Sequence, residues 1–200
     1  MWHLGRGTEL LDPQELLGRV GVCSGWHVAD AGCGSLGHFV FPAAQMVGAE
    51  GKVYAIDVQR PALKALEKTA RNFQRWNVHP IWSDLERVGS TRIPQASLDL
   101  VVLANTLHTA QDRPSMLQEI MRLLRPGGSV MIVEWNKQET PLGPPLNDRL
   151  AFEDLQAYLS EHPIRWTDQF EAGDHHHAAV FQKEEGEITP TILSVSHISL

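Results

Sequence analysis

HVADAGCGSLG, residues 27–37, is the stretch on which the reading of this chain turns. Its first half is a short apolar run of the kind that fills a strand covered on both faces. Its second half sets Gly32, Gly34 and Gly37 in the spacing G-x-G-x-x-G. Glycines there let the backbone turn tightly and let a ligand approach where a Cβ would collide. The segment that follows reads as a helix, with Pro42 early enough for its missing donor to be tolerated. The first N–H groups of such a helix are unpaired and its dipole is positive there, which favours an anionic ligand group.

Outward from this loop the chain alternates. KVYAID (52–57), VHPIWSD (78–84), LDLVVLAN (98–105) and SVMIVEW (129–135) read as further strands. Between them, PALKALEKTARNFQRW puts Leu63, Leu66, Ala70 and Phe73 on one helical face, with Pro61 in the first turn. RPSMLQEIMRLL lines up Met116, Ile120 and Leu123, and Pro126-Gly127-Gly128 is expected to stop that helix. Regular alternation of strand and helix specifies an α/β domain with right-handed crossovers. IRWTDQFEA (164–172) and HHHAAVFQK (175–183), joined at Gly173-Asp174, read as an antiparallel hairpin on the sheet edge. There is no internal repeat. The expectation is a single domain over 1–183, with 184–200 either a loose tail or an extra edge strand.

Two hundred residues, 42% hydrophobic and 20% charged, suffice for a soluble domain whose core needs no metal or disulfide staple. The formal charge is −7 and the 17 basic residues form no dense run, which argues against a nucleic-acid partner. Cys23 and Cys33 make no disulfide framework and suit a reducing, cytoplasmic compartment. The opening MWHLGRGTELL lacks a signal-peptide core and no later run approaches a membrane span, so no membrane association is expected. Oligomeric state is not legible in these features.

Asp57 ends the second strand, 20 residues beyond Gly37, where a carboxylate accepts two hydrogen bonds from a ribose diol. To this point a nicotinamide-binding domain and a methyl-donor-binding domain fit equally well. Three features separate them. Asp30, inside the turn, would repel a pyrophosphate but accept from an ammonium group. Asp84 in Ser83-Asp84-Leu85 stands where a carboxylate accepts from an adenine amino group, or it is a solvated turn residue. The chain also has no second domain and no Tyr-x-x-x-Lys pair for hydride chemistry.

VADAGCG, VYAIDVQ, SDLE, LDLVVLANTLH and LLRPGGSVMIVEW, in that order and spacing, resemble class I S-adenosylmethionine-dependent methyltransferases over about residues 11–183. The similarity is to the small bacterial and archaeal type grouped with ubiquinone/menaquinone-biosynthesis methyltransferases. It implies a three-layer, Rossmann-like sheet of seven strands, mostly parallel, with the last antiparallel. By position, it implies that Asp30, Gly32, Cys33 and Gly34 hold the methionine part of S-adenosyl-L-methionine. Asp57 would take the ribose hydroxyls, Val58 would pack on the adenine, and Asp84 with Leu85 would meet its edge. Asn105 would lie near the methionyl amino group. Ser35-Leu36 stand where the family has smaller residues, from which a narrowed loop is expected.

The implied function is methyl transfer to a small-molecule acceptor by in-line displacement, with a nicotinamide-dependent oxidoreductase or a binding module without turnover as alternatives. Holding two reactants in line can supply ~7–11 kcal/mol of such a barrier, and a base is needed only where the acceptor arrives protonated. His108, just past strand four, is the candidate base, against a helix-start histidine that merely packs. Glu134 ends strand five and, as an acid there, either lines the pocket or meets an internal partner. His175-His176-His177 cannot all grip one ion from a strand, because adjacent side chains point to opposite faces, so no metal is expected. Residues 136–150 (NKQETPLGPPLNDRL) are either a lid or a connection to the helix AFEDLQAYL.

Overall fold

The computed structural model describes residues 10–159 and 162–185. The apolar runs form β1 (His27–Ala31), β2 (Lys52–Asp57), β3 (Val78–Trp82), β4 (Leu98–Ala104), β5 (Leu124–Trp135), β6 (Ile164–Glu171) and β7 (His176–Lys183). The helices are α1 (Pro13–Val20), α2 (Val40–Val47), α3 (Arg60–Asn72), α4 (Arg113–Leu123) and α5 (Phe152–Leu159). Local chemistry sets several ends. Asp12 caps α1 by accepting from the Gln14 and Glu15 N–H groups, and Asp112 caps α4 through Ser115. Pro13, Pro61 and Pro114 each occupy a first turn.

One seven-stranded sheet results, in the order β3-β2-β1-β4-β5-β7-β6. β1 to β5 pair in parallel, and β7 runs antiparallel to both β5 and β6. This is the expected α/β architecture, hairpin included. An apolar layer lies on each side of the sheet. Leu17, Val40, Val47 and Leu66 from α1, α2 and α3 pack on Val28, Val53 and Leu100. Ile120, Leu123 and Leu159 from α4 and α5 pack on Ala29, Ile56 and Val101. Each large aliphatic side chain buried in this way contributes ~1.5–3 kcal/mol. The strand order reverses between β1 and β4, which opens a crevice at their carboxyl ends, where ligands bind in open α/β sheets.

Two boundaries differ from expectation. Phe73 lies one residue past α3, half exposed and edge-on to Phe41, because Gln74 adopts a left-handed backbone (φ 54°) and turns the chain away. α4 stops at Leu123 rather than at Pro126-Gly127-Gly128. Leu124 already pairs with Leu98, and the ladder resumes at Leu100 and Ser129, so the Pro-Gly-Gly segment is a bulge within β5. Lys183 Nζ meets the carbonyls of Met121 and Leu124 at 2.7 and 2.8 Å, satisfying acceptors that the helix leaves open. Arg125, preceding a proline, is disfavoured as helix.

Glu119 of α4 is fully buried. It accepts from Arg122 Nε and Nη2 (both 2.8 Å), Thr91 Oγ1 (2.6 Å) and the Gly89 N–H (2.6 Å), tying α4 to the segment before β4. Among the described residues no helix is long and apolar enough to cross a membrane. The opening residues 1–9, and the tail beyond Glu185 with its edge-strand reading, lie outside the described residues.

Candidate active site

The glycine loop leaves β1 and is fastened to the end of β2. The N–H groups of Gly32 and Cys33 both donate to the Ile56 carbonyl (2.8 and 3.1 Å). Asp57 Oδ2 accepts from the Gly34 N–H at 2.9 Å, and Oδ1 accepts from the Gln59 N–H at 2.7 Å. Asp57 thus shapes the loop as well as standing at its rim. Gly32 (φ +89°) and Gly34 (φ +60°) lie in the left-handed region but differ in surroundings. A Cβ on Gly32 would run into the side chain of Thr106, with Cγ2 at 2.7 Å, whereas one on Gly34 would meet nothing within 4 Å. Gly34→Ala is therefore expected to cost the fold only ~1–2 kcal/mol of backbone strain while projecting a methyl group into open crevice. Gly32→Ala adds an overpacking cost of ~1–3 kcal/mol to the same strain. Thermal melts of the two variants check this order, and equal midpoints would refute it.

Asp30 and Asp57 are only 4% and 8% exposed. Neither is ion-paired to a Lys or Arg among the described residues. Burial, then the neighbouring Asp57 charge, pushes the Asp30 carboxyl up to about 7, against a hydrogen bond from the Phe39 N–H. Cys33 is buried beside the same two acids, and its thiol is pushed far up, so it is inert packing in the loop. Leu36, in the same loop, is 68% exposed.

Asn105 follows β4 with φ 54°, a left-handed position that asparagine tolerates, and its N–H donates to the Val133 carbonyl. Its Nδ2 lies 3.0 Å from His176 Nε2, so the amide donates and the ring accepts. Burial, then the adjacent positive groups, lowers the His176 imidazole to about 4, which fits that accepting role. Asn105 Oδ1 is left buried without a partner. A buried carbonyl oxygen without a partner is an acceptor that the fold itself leaves open.

Val58 is 55% exposed on the far side of Asp57. Trp82 Nε1 donates to the Val58 carbonyl at 2.8 Å, and the Arg60 guanidinium lies 4.0 Å over the Trp82 ring. This aromatic prop for Val58 has no local signal in the sequence, where Trp82 lies within the apolar run 78–84. Asp84 accepts from the Glu86 N–H and pairs loosely with Arg87. The Leu85 side chain packs in the core, away from any ligand.

His108 and Glu134 are brought together. Glu134 Oε1 accepts from the His108 N–H (3.2 Å) and Oε2 lies 2.7 Å from His108 Nδ1. Glu134 is 1% exposed, and of the two roles open to it the hydrogen bonds to His108 show the internal partner. The His-rich segment, set aside in the sequence, contributes through β7: register places His176 opposite Trp135 and His177 opposite Glu134. His176 packs on Trp135 with ring centroids 4.2 Å apart. Among the described residues no group of three or more His, Cys, Asp or Glu is arranged to hold a metal ion.

Residues 136–150 fold onto Trp135 and are fastened by buried Arg149, which donates to the carbonyls of Asn136, Gln138, Leu142 and Pro144. Four carbonyls gathered on one guanidinium hold the segment together from within. No sequence pattern marked Arg149, because its partners are backbone atoms.

A family model described as a methyltransferase domain matches residues 23–188. The chain is 28% identical over 134 residues to the ubiquinone/menaquinone biosynthesis C-methyltransferase of Pseudoalteromonas translucida, covering 66% of this chain and 52% of that one. It is 33% identical over 113 residues to the arsenite methyltransferase of Aquipseudomonas alcaligenes, covering 54% of this chain and 32% of that one. The chain therefore spans about half the length, or less, of these two curated relatives. Its structure resembles that of a SAM-dependent methyltransferase from Aquifex aeolicus with a TM-score of 0.79 and 27% identity, covering 88% of this chain and 91% of the other.

Proposed function

Because the chain belongs to the methyltransferase-domain family, we propose that it transfers a methyl group from S-adenosylmethionine to a small-molecule acceptor by in-line displacement. The observation that carries this reading is the pair Asp30 and Asp57, two acids more than nine-tenths buried on neighbouring strand ends. A donor with an ammonium group and a ribose diol matches them, whereas a pyrophosphate would add negative charge beside Asp30. The nicotinamide alternative is disfavoured for that reason.

The bound donor supplies a methyl group on a sulfonium, with a neutral thioether as leaving group. The chain's own residues supply placement. Asp30 and Asn105 Oδ1 offer acceptors for the ammonium, Asp57 accepts from the ribose hydroxyls, and Val58, propped by Trp82, offers an apolar face to the adenine. Gly32, Cys33 and Gly34 keep the loop low enough for close approach. The same placement accounts for how the chain lowers the barrier, because alignment is most of what this displacement needs.

Calorimetric titration of the full chain with S-adenosylhomocysteine and with NADH tests the reading. Binding of S-adenosylhomocysteine and none of NADH is expected, and the reverse sinks the proposal. Asp57→Ala removes a charged acceptor worth ~1.5–3 kcal/mol, so S-adenosylhomocysteine should bind about 10–150-fold more weakly. An unchanged affinity would remove Asp57 from the site.

A further inference from the structure

Glu134 is a two-point clamp on His108. Its carboxylate takes the His108 N–H with one oxygen and Nδ1 with the other, from a position 1% exposed at the end of β5. An ionised carboxylate can only accept, so Nδ1 carries the ring proton and Nε2 carries the lone pair. The His108 side chain is 13% exposed, and Nε2 takes no hydrogen bond from the described residues. The turn Leu107–Thr109 that holds His108 follows directly on Thr106, the residue against which Gly32 of the glycine loop is packed. Arg113 fastens the same turn by donating to the carbonyls of Leu107 and His108. An imidazole fixed in orientation and tautomer, its basic nitrogen unengaged and its turn joined to the residue that packs on the glycine loop, is equipped to take a proton.

We infer that His108 is a general base, positioned by Glu134, and that the acceptor is a nucleophile that arrives carrying its proton, such as a phenolic hydroxyl, a thiol or an acidic C–H. The inference rests on the methyl-transfer reading above. In the step, His108 Nε2 takes the acceptor's proton while the freed electron pair forms the bond to the methyl carbon. The carbon–sulfur bond breaks with its electrons retained on sulfur. The positive charge lost from the sulfonium reappears as the proton on His108, which then passes to water. An acceptor with a ready lone pair, such as arsenite or a tertiary amine, needs none of this.

Nitrogen-15 NMR of the imidazoles in the full chain, with S-adenosylhomocysteine added, reads the tautomer without turnover. His108 should show a protonated Nδ1 and a bare Nε2. Glu134→Gln should reverse this, because its amide N–H requires an acceptor at Nδ1. Turnover is read near pH 8 with 4-methoxyphenol, protonated there, and 4-nitrophenol, largely ionised there, alongside a thiol, a β-diketone and arsenite. His108→Gln and Glu134→Gln should lower kcat for 4-methoxyphenol by about 10²–10⁴-fold, with a far smaller fall for 4-nitrophenol and an unchanged KM for S-adenosylmethionine. A protonated Nε2 in the unsubstituted chain overturns the inference, as does an equal loss on both phenols. So does a panel in which no proton-bearing probe is methylated. Failure of the parent reading is distinct, since then S-adenosylhomocysteine itself does not bind.

Discussion

Asp30→Asn is expected to stabilise the ligand-free protein and to cripple its grip on S-adenosylmethionine. The unfolded chain ionises Asp30 near its ordinary value of 3.8, whereas in the fold the carboxyl is held up to about 7 by burial and by Asp57. A raised carboxyl makes the folded state the better proton binder. Its contribution is favourable below the unfolded value and is lost as pH rises through 7. Three units correspond to about 4 kcal/mol in the ligand-free protein above that pH. Asparagine does not ionise and can still accept from the Phe39 N–H, so the variant escapes the cost. Its melting temperature should match that of the unsubstituted chain near pH 4 and exceed it by about 8–15 °C near pH 8. Affinity for S-adenosylmethionine should fall about 10–150-fold, the loss of one charge-assisted acceptor. A melting difference that does not grow between these pH values would mean that Asp30 is not the strained acid the geometry describes.

Glu119 is expected to behave in the opposite sense. It is equally buried, but it faces a guanidinium, a hydroxyl and a backbone N–H rather than another acid, and its carboxyl is held down to about 2. A depressed carboxyl contributes stability above its unfolded value of 4.5, and that contribution is lost as pH falls through about 2. Glu119→Ala takes a shared anionic acceptor from Arg122, Thr91 and the Gly89 N–H, so a cost of ~3–5 kcal/mol at neutral pH is expected. Urea unfolding of the variant should show it, and it should shrink as the unsubstituted chain is acidified between pH 4.5 and 2. A variant within 1 kcal/mol of the unsubstituted chain at neutral pH would show that this network is not structural. The two acids thus act on the fold in opposite senses, one strained toward its neutral form and the other held as an anion.

Several parts of the site were legible because they are local in sequence. The glycine spacing, Asp30 within it and Asp57 a fixed distance on are set by one strand-loop-helix-strand unit, and the short reach of backbone hydrogen bonds keeps them together. Asp57 meets the loop through Gly34, 23 residues away, by passing only once around α2. Other contacts were not legible. His108 and Glu134 are 26 residues apart and Asn105 and His176 are 71 apart. Whether such residues touch depends on which strands are neighbours and in what register. His176 rather than His175 or His177 meets Asn105 because β7 inserts beside β5 with Trp135 opposite His176. A one-residue slip would turn each of these side chains to the other face of the sheet. The boundary at Leu123 was misplaced for a related reason: a lysine from β7 supplies the cap that the local sequence lacks.

By itself the sequence determined the architecture and the place of the glycine loop within it. Alternating apolar periods admit few packings, and a glycine-bearing turn between a strand and a helix admits few ligands. The tertiary structure alone decided how the acids behave. Asp30 and Glu119 are both buried carboxylates, yet one is driven toward its neutral form and the other held as an anion, because charge state follows the partners that folding places within a few ångströms. It likewise decided that Glu134 meets His108, which joins an acid at one strand end and a histidine just past another in one hydrogen-bonded pair.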